Sequence, residues 1–314
     1  MAITLDRICI PIGLACDLDC KYCYRHQGKT SVPRLTDRMI QYLQSLDPKK
    51  TYCVIASGGE PLLYWKRVVE LFSYVPKGIY KKVMSNGTHL TQEIVDYINE
   101  NEVELHFSHD GPLTSWSRGV DVLEDPKILS LIKQVKNMRV HATIFAGNED
   151  IIATRNYLQE KLGRTDFYFT AGTIFGHDPR NSTLLQGFDY DKYTKSWIQY
   201  RLERKDWTER YHRPRKGARS LGINILPDGT VVGLTSMKRY GMIDDDIETI
   251  KRRIAEVGDA DICNNTECPL KQLQLCGNSS NAASAHTCKA LIETTTAMQY
   301  LKHQKETEHN VTCF

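Results

Sequence analysis

Short apolar runs alternate with amphipathic stretches along most of this chain, at a spacing of roughly 30 residues. The apolar runs predict strands over 8–12, 52–56, 82–84, 103–107, 140–145 and 167–170, and helices are expected over 36–46, 65–75, 91–99, 126–136, 151–162 and 190–204. Strand–helix units of this length feed a parallel sheet, because parallel neighbours need a crossover connection. Six units are fewer than a closed eightfold barrel uses in its about 250 residues. The pattern therefore predicts an α/β fold built on a partial (β/α)6 TIM barrel.

The pattern changes after the sixth helix. Residues 221–226 and 230–234 flank the turn signal Pro227-Asp228-Gly229, which predicts a hairpin, and helices are expected over 247–257 and 288–305. We therefore predict three parts: a barrel over 1–205, a basic connector over 206–220, and a small C-terminal domain over 221–314.

Composition excludes several classes of protein. Of 314 residues, 41% are hydrophobic and 25% charged, so neither disorder nor a coiled coil is expected. A net charge of +3 does not by itself predict binding to nucleic acid or to a membrane. The chain has no apolar run of about 18 residues, and its N-terminus does not resemble a signal peptide. We therefore expect a cytoplasmic protein, in which cysteines bind metal more readily than they form disulfides.

Most of the ten cysteines fall into two groups, one near each end of the chain. Cys16, Cys20 and Cys23 form the first, and the second consists of Cys263, Cys268, Cys276 and Cys288. This distribution predicts two separate metal sites. Cys9 and Cys53 lie in predicted strands and are most simply small core residues.

The first group has the spacing Cys-x3-Cys-x2-Cys. Three thiolates in one loop can hold three irons of a [4Fe–4S] cluster and leave the fourth iron open. The alternative is a zinc site that His26 completes as a Cys3His set. Spacing alone leaves both open.

Polar motifs follow the next three predicted strands. They are Ser57-Gly58-Gly59-Glu60-Pro61, Ser85-Asn86-Gly87-Thr88 and Ser108-His109-Asp110-Gly111. Each alone is an ordinary glycine-rich turn. Together with the cysteine loop they occupy the carboxyl ends of four successive strands, where barrel folds carry their active sites. We therefore expect one site at this edge.

The cysteine loop, with Tyr22 before its third cysteine, and the Gly-Gly-Glu-Pro motif resemble the radical S-adenosylmethionine superfamily over about residues 5–178. The resemblance implies that Cys16, Cys20 and Cys23 hold a [4Fe–4S] cluster whose open iron chelates S-adenosylmethionine. It also implies that Tyr22 lies beside the adenine and that the amino group is held by Gly58, Gly59 and Glu60, with Pro61 keeping Glu60 extended. Ser85 and Asn86 would approach the ribose and methionyl parts. Ser108, Asp110 and Arg118 match a further motif of the family, in which Arg118 pairs with the methionyl carboxylate. Without this resemblance, the sequence supports equally well that Arg118 is a solvated loop arginine.

The same resemblance implies the chemistry. A reduced cluster would cleave S-adenosylmethionine to a 5′-deoxyadenosyl radical, which removes a hydrogen atom from the substrate. An electron donor such as flavodoxin or ferredoxin is then required.

The second cysteine group could hold zinc or iron–sulfur, and its spacing does not decide between them. The hairpin, helix and cysteines after the barrel resemble the SPASM extension of this superfamily, which ordinarily carries seven cysteines and two auxiliary [4Fe–4S] clusters. Here Leu234-Thr235-Ser236 replaces the first expected cysteine, and Cys276 is followed by Gly277-Asn278-Ser279-Ser280 instead of a Cys-Gly-x-x-Cys motif. We therefore predict one auxiliary [4Fe–4S] cluster, ligated by Cys263, Cys268, Cys276 and Cys288.

The function predicted by this resemblance is modification of a peptide or protein by cross-linking, epimerisation or oxidation, as in a maturase of ribosomally made peptides. Because Cys16 comes so early, no separate leader-peptide-binding domain is expected before the barrel. The catalytic residue is unknown; Cys313 is a candidate hydrogen donor for an epimerisation. The strand histidines His106 and His141, and His177, could be core or substrate-contacting residues.

Three other functions remain open at this point. One is a radical dehydrogenase or rearrangement enzyme for a small molecule, and another is a zinc or iron–sulfur protein without activity. The third is nucleic-acid modification, for which the basic segment 201–219 is the sole support and which we do not favour.

Overall fold

The structure, a computed structural model, describes residues 2–23, 35–49, 51, 53–173, 183–203, 218–226, 228–233 and 238–257. The second cysteine group, Cys313, His26, His177, the connector over 206–217 and the expected helix over 288–305 lie outside these residues. The structure therefore does not test what the sequence predicts for them.

The first six strands form the parallel sheet that the sequence predicts. They are β1 (Ala2–Gly13), β2 (Cys53–Gly58), β3 (Tyr80–Ser85), β4 (Glu104–Ser108), β5 (Met138–Ile144) and β6 (Tyr168–Thr173). Each pairs in parallel with the next, so that the order along the sheet follows the order along the chain. This is the partial (β/α)6 barrel.

Helices follow each of these strands as the sequence predicts: α1 (Asp37–Gln44), α2 (Trp65–Ser73), α3 (Gln92–Glu100), α5 (Pro126–Gln134), α6 (Ile151–Leu162) and α7 (Tyr190–Glu203). Side-chain oxygens of Thr36, Thr91, Asp125 and Asp150 accept the first backbone N–H groups of α1, α3, α5 and α6, which fixes where those helices begin. The sequence did not reveal α4 (Thr114–Arg118), a short helix after β4.

The main core lies between the outer face of the sheet and these helices. Every second residue of a strand points to this face, and Leu105 and Phe107 of β4 are fully buried there with Phe72 and Ile132 from the helices. Burying one such side chain contributes about 1.5–3 kcal/mol. The core therefore holds the strand ends, and the loops that follow them, in fixed positions.

The inner face of the sheet is different because much of it is polar. Cys9 and Cys53 are buried on this face in a separate small cluster with Ile55, as small core residues in strands. Near the amino ends of the strands, Glu104 pairs with Lys82 (Nζ to Oε1, 3.1 Å) and with Arg139 (Nε to Oε1, 2.8 Å), and these three residues are buried. Charged side chains therefore close this end of the barrel interior.

Three further strands extend the sheet beyond β1. Strand β7 (Ala218–Ile225) pairs in parallel with β1, and β7, β8 (Thr230–Gly233) and β9 (Arg239–Met242) pair antiparallel in succession. The hairpin predicted on either side of Asp228 is confirmed, and the last described helix, α8, spans Ile247–Val257 as expected. The sequence pattern did not show that this hairpin joins the barrel's own sheet. Among the described helices, none is long and apolar enough to cross a membrane.

Candidate active site

The loop after β2 is held by the backbone of the segment that leads to the first cysteine. The Gly59 N–H donates to Gly13 O and the Glu60 N–H donates to Ala15 O, each at 2.8 Å. A Cβ at Gly59 would lie 2.2 Å from Ala15 O. Because no side chain fits in that space, glycine is required for this close approach.

Glu60 joins this loop to the loop after β3. Its buried carboxylate accepts from the Leu62 N–H (2.9 Å), the Ser85 hydroxyl (2.8 Å) and the Asn86 N–H (2.8 Å). Burial raises the pKa of Glu60 to about 7 in spite of these three donors, which favour the ionised form. The side chain thus positions the next loop.

Asn86 continues the connection into the cysteine loop. Its amide Nδ2 donates to Asp17 Oδ1 at 3.0 Å and lies 3.9 Å from Cys16 Sγ. Burial alone would raise the pKa of Asp17, but hydrogen bonds from Thr88 and Asn86 hold it below its ordinary value. Asp17 therefore accepts these bonds as a carboxylate.

The loop after β4, the fourth loop of the site, is anchored by an ion pair. Arg118 donates from Nε to Asp110 Oδ2 (3.0 Å) and from Nη2 to Asp110 Oδ1 (2.9 Å), and both residues are buried. Ser117 and Tyr22 donate hydroxyl hydrogen bonds to the same carboxylate. Burial would raise the pKa of Asp110, but the Arg118 charge and these donors hold it below its ordinary value.

Tyr22 connects this ion pair to the cysteines, since it lies between Cys20 and Cys23. The Lys21 N–H also donates to Ser117 O at 2.9 Å. The reading of Arg118 as a solvated loop arginine is wrong, because the residue is buried at the end of α4.

The three thiols lie close enough to influence one another. Burial, with smaller contributions from Cys23, Asp110 and Cys16, raises the pKa of Cys20 to about 11, although the Arg118 charge acts to lower it. Burial likewise raises the pKa of Cys16. In the described part of the chain, no three His, Cys, Asp or Glu residues converge on one point as ligands of a single metal ion. A [4Fe–4S] cluster has no such requirement, because each thiolate binds a different iron.

The structure thus brings together most of the residues that the sequence singled out. These residues end or follow three successive strands, at the same edge as Cys16, Cys20, Tyr22 and Cys23: Gly58, Gly59, Glu60 and Pro61 at β2, Ser85 and Asn86 at β3, and Ser108, Asp110 and Arg118 at β4. Sequence reasoning missed Asp17, Ser117 and Thr143, whose backbone N–H donates to Asp110 Oδ1 at 2.8 Å. Nothing in their residue types marks them, since each acts through a tertiary contact.

A comparison with protein families matches residues 10–168, half of the chain, to the radical SAM superfamily. Among curated proteins, the chain is similar to the cysteine-type anaerobic sulfatase-maturating enzyme of Clostridium perfringens (27% identity over 117 residues, 32% of each chain). It is also similar to the serine-type enzyme of Klebsiella aerogenes (29% over 163 residues, 42% of this chain and 40% of that enzyme). The aligned segments thus cover less than half of either relative.

Solved structures share the fold over a longer part of the chain. The native enzyme anSMEcpe with bound AdoMet and Cp18Cys peptide superposes with a TM-score of 0.65 at 17% identity, over 96% of this chain and 99% of that chain. SuiB of Streptococcus suis bound to S-adenosylmethionine gives 0.59 at 14% identity, over 88% and 72% of the two chains.

These observations define an α/β partial barrel with its candidate site at the carboxyl edge of the sheet. The chain belongs to the radical SAM superfamily. Membership implies that it is an enzyme that uses S-adenosylmethionine and a [4Fe–4S] cluster, and its relatives include anaerobic sulfatase-maturating enzymes.

Proposed function

We propose that this chain generates a 5′-deoxyadenosyl radical and uses it to remove a hydrogen atom from a peptide or protein substrate. One observation carries the proposal: direct side-chain hydrogen bonds join the cysteine loop to the loops after β3 and β4, and join the loop after β2 to the loop after β3. Asp17 is bonded to Asn86, Tyr22 to Asp110, and Glu60 to Ser85. Such a network supports the precise positioning that radical chemistry requires.

Cys16, Cys20 and Cys23 would each bind one iron of the cluster. Thiolate is the form that binds iron, so iron would displace the protons that burial holds on Cys16 and Cys20. When bound and reduced, the cluster supplies one electron to S-adenosylmethionine, and cleavage of a carbon–sulfur bond gives the radical. The protein's part is orientation and exclusion of side reactions.

The glycines after β2 suit the amino group of the cofactor. An ammonium group donates hydrogen bonds, and the N–H groups of Gly59 and Glu60 already serve Gly13 and Ala15. Backbone carbonyls of Gly58 and Gly59 would therefore be the acceptors, with Glu60 and Pro61 fixing the loop. Because no side chain fits at Gly59, only the backbone of this loop can contact the cofactor there.

The remaining contacts would come from the neighbouring loops. Tyr22 would lie beside the adenine, Ser85 and Asn86 near the ribose and methionyl parts, and Ser108 and Asp110 at the wall formed by the fourth loop. A guanidinium has five N–H groups, and two of those on Arg118 serve Asp110. The others remain for the methionyl carboxylate.

The peptide substrate is supported by the relatives. The anSMEcpe structure contains the Cp18Cys peptide, and a SuiB structure contains its precursor peptide SuiA. A neighbouring short open reading frame, co-expressed with this gene, would supply the test peptide. Loss of two hydrogens indicates a cross-link or oxidation, and deuterium uptake without a mass change in ordinary water indicates epimerisation, for which Cys313 would be the hydrogen donor.

The radical chemistry is tested without the substrate. Anaerobically reconstituted protein, treated with dithionite and S-adenosylmethionine, should release 5′-deoxyadenosine. Replacing Cys16, Cys20 and Cys23 together with alanine should abolish this product, whereas Cys53→Ala, a buried cysteine of β2 outside the loop, should retain it. Persistence of the product in the triple variant would refute the proposed ligand set.

An auxiliary [4Fe–4S] cluster on Cys263, Cys268, Cys276 and Cys288 is part of the proposal. It would accept the surplus electron of a cross-link or an oxidation, and a flavodoxin or ferredoxin would supply the first electron. Two clusters correspond to about eight irons per chain. Replacing Cys263 and Cys268 with alanine should lower this count to about four; an unchanged count, or zinc in place of iron, would contradict the assignment.

A further inference from the structure

The inner face of the barrel carries two histidines that none of the assignments above uses. His106 lies on β4 between Leu105 and Phe107, both of which are buried in the outer core. Because side chains alternate across a strand, His106 points to the barrel interior. His141 of β5 points the same way, and the two rings lie 5.3 Å apart at an angle of 71°.

The histidines lie midway between the charged floor and the loop edge. Two residues earlier on the same strands, Glu104 and Arg139 form the buried ion pair. Two residues later, Ser108 ends β4, and the N–H of Thr143 holds the Asp110 carboxylate. Two strand residues span about 7 Å, so the pair lies one layer below the proposed cofactor site.

The hydrogen bonds of His141 fix which of its nitrogens is an acceptor. Its Nδ1 lies 3.1 Å from Thr170 Oγ1, and that hydroxyl donates to Val140 O at 3.3 Å. With the single hydroxyl proton assigned to the bond with Val140 O, His141 Nδ1 is the donor to Thr170. The lone pair of the neutral imidazole is then on Nε2.

His106 has a buried nitrogen without a partner among the described residues. This atom, Nε2, is shielded from bulk water. Burial lowers the pKa of His106 well below its ordinary value, and burial with the nearby Arg118 charge lowers that of His141 to about 4. Both rings are therefore neutral near pH 7. A buried polar atom without a partner is rare in a native protein and points to a group that completes it.

We propose that His106 and His141 form a substrate-contacting pair, whose Nε2 atoms hydrogen-bond a hydroxyl or carboxamide group of the substrate side chain inside the barrel. This rests on the proposed function, because it places the substrate directly below the cofactor. A cationic side chain fits poorly, since Lys82 and Arg139 carry two positive charges against the one negative charge of Glu104 in the layer beneath. An aliphatic side chain would leave both nitrogens unsatisfied.

The test uses anaerobic, cluster-loaded protein labelled with 15N-histidine and probed by NMR. N-acetyl-serinamide and N-acetyl-asparaginamide are titrated against N-acetyl-alaninamide and N-acetyl-valinamide, which share the backbone amides but lack a side-chain donor. The first two should shift the imidazole nitrogens of His106 and His141 and bind about fivefold more tightly, the effect of one net hydrogen bond. Equal shifts from all four compounds, or none, would overturn the proposal.

Variants separate hydrogen bonding from packing. His141→Phe and His106→Phe should remove the preference for the serine and asparagine compounds. His106→Gln, which places a polar atom near Nε2, should keep it. Met84→Leu is the matched control, because Met84 pairs in register with His106 and contributes no hydrogen bond of this kind. If the preference survives in both phenylalanine variants, the pair is not the contact.

Failure of this inference is distinguishable from failure of the proposed function. Release of 5′-deoxyadenosine with dithionite, measured on wild type and on Met84→Leu, should agree within about twofold, since Met84 is assigned to neither the cofactor site nor the histidine pair. If the wild type never releases 5′-deoxyadenosine, the proposed function is wrong. The NMR titration still decides in that case whether the histidine pair binds a hydroxyl or carboxamide group.

Discussion

The guanidinium of Arg118 and the carboxylate of Asp110 form a buried, two-bond ion pair at the carboxyl end of β4. Tyr22, between two of the three loop cysteines, donates its hydroxyl hydrogen bond to the same carboxylate. The pair therefore stabilises the fourth loop and holds the cysteine loop against it. A substitution of either residue should therefore disturb both the loop after β4 and the cysteine loop.

Asp110→Asn tests this double role. The substitution leaves the Arg118 charge buried without its partner, which should destabilise the protein by about 3–5 kcal/mol. Urea unfolding of the anaerobic protein measures the change. The control is Asp166→Asn, since Asp166 pairs with Arg164 at an exposed position and should contribute about 1 kcal/mol or less. If the two variants unfold at the same urea concentration, the buried pair does not stabilise the loop.

Gly59→Ala tests the close approach of the second loop to the cysteine loop. The added Cβ would meet Ala15 O at 2.2 Å and Leu14 O at 2.5 Å, so the backbone must move. We expect binding of S-adenosylmethionine, measured by equilibrium dialysis, to weaken at least tenfold, because the cradle is displaced. Gly187→Asn, at a left-handed φ of 76° with open space around it, should bind like wild type. Wild-type affinity in Gly59→Ala would show that the loop tolerates the methyl group.

Glu60 should make stability depend on pH. Its pKa is raised from 4.5 to about 7, so the folded protein holds a proton that the unfolded chain releases between these values. Its contribution is therefore fully present below about pH 4.5 and is lost as the pH rises through about 7, for a total of about 3 kcal/mol. Urea midpoints of wild type and Glu60→Gln, compared from pH 5 to pH 8, isolate the effect. Wild type should lose stability relative to Glu60→Gln as the pH rises. A difference in urea midpoint that does not change with pH would mean that Glu60 ionises normally.

Glu104→Gln tests the charged floor of the barrel. Lys82 and Arg139 would keep their charges with no buried carboxylate between them, and we expect a loss of about 3–5 kcal/mol. Thermal unfolding followed by circular dichroism gives the measurement. Glu124→Gln provides the comparison, since its pair with Lys161 is exposed and its loss should leave the melting temperature nearly unchanged. Equal melting temperatures would show that the floor contributes no stability.

Much of the fold follows from local sequence patterns. The apolar runs placed the six strands of the barrel, and two helices, α6 and α8, have the bounds that the pattern predicts. Thr91 and Pro126 mark the starts of α3 and α5 through short-range effects, a side-chain cap and a fixed φ. Such features depend on neighbours within a few residues, so one sequence suffices to find them.

The site was predictable in part for the same reason. Glycine-rich motifs after the second, third and fourth strands and the three spaced cysteines are visible in the chain, and parallel strands bring their ends together. The partners of those motifs are not visible. Asp17 contacts Asn86 and Tyr22 contacts Asp110 across 69 and 88 residues, and Arg118 binds Asp110 inside the protein.

By itself, then, the sequence determined the strand–helix succession, the helix starts and the motifs at the strand ends, because these depend on periodicity and short-range hydrogen bonds. Only the tertiary structure decided that β7 pairs with β1, that Asp110 joins the cysteine loop to α4, and that His106 and His141 face each other inside the barrel. Those relationships depend on strand register and on which side chains are shielded together from water, and both emerge only when the whole sheet has formed.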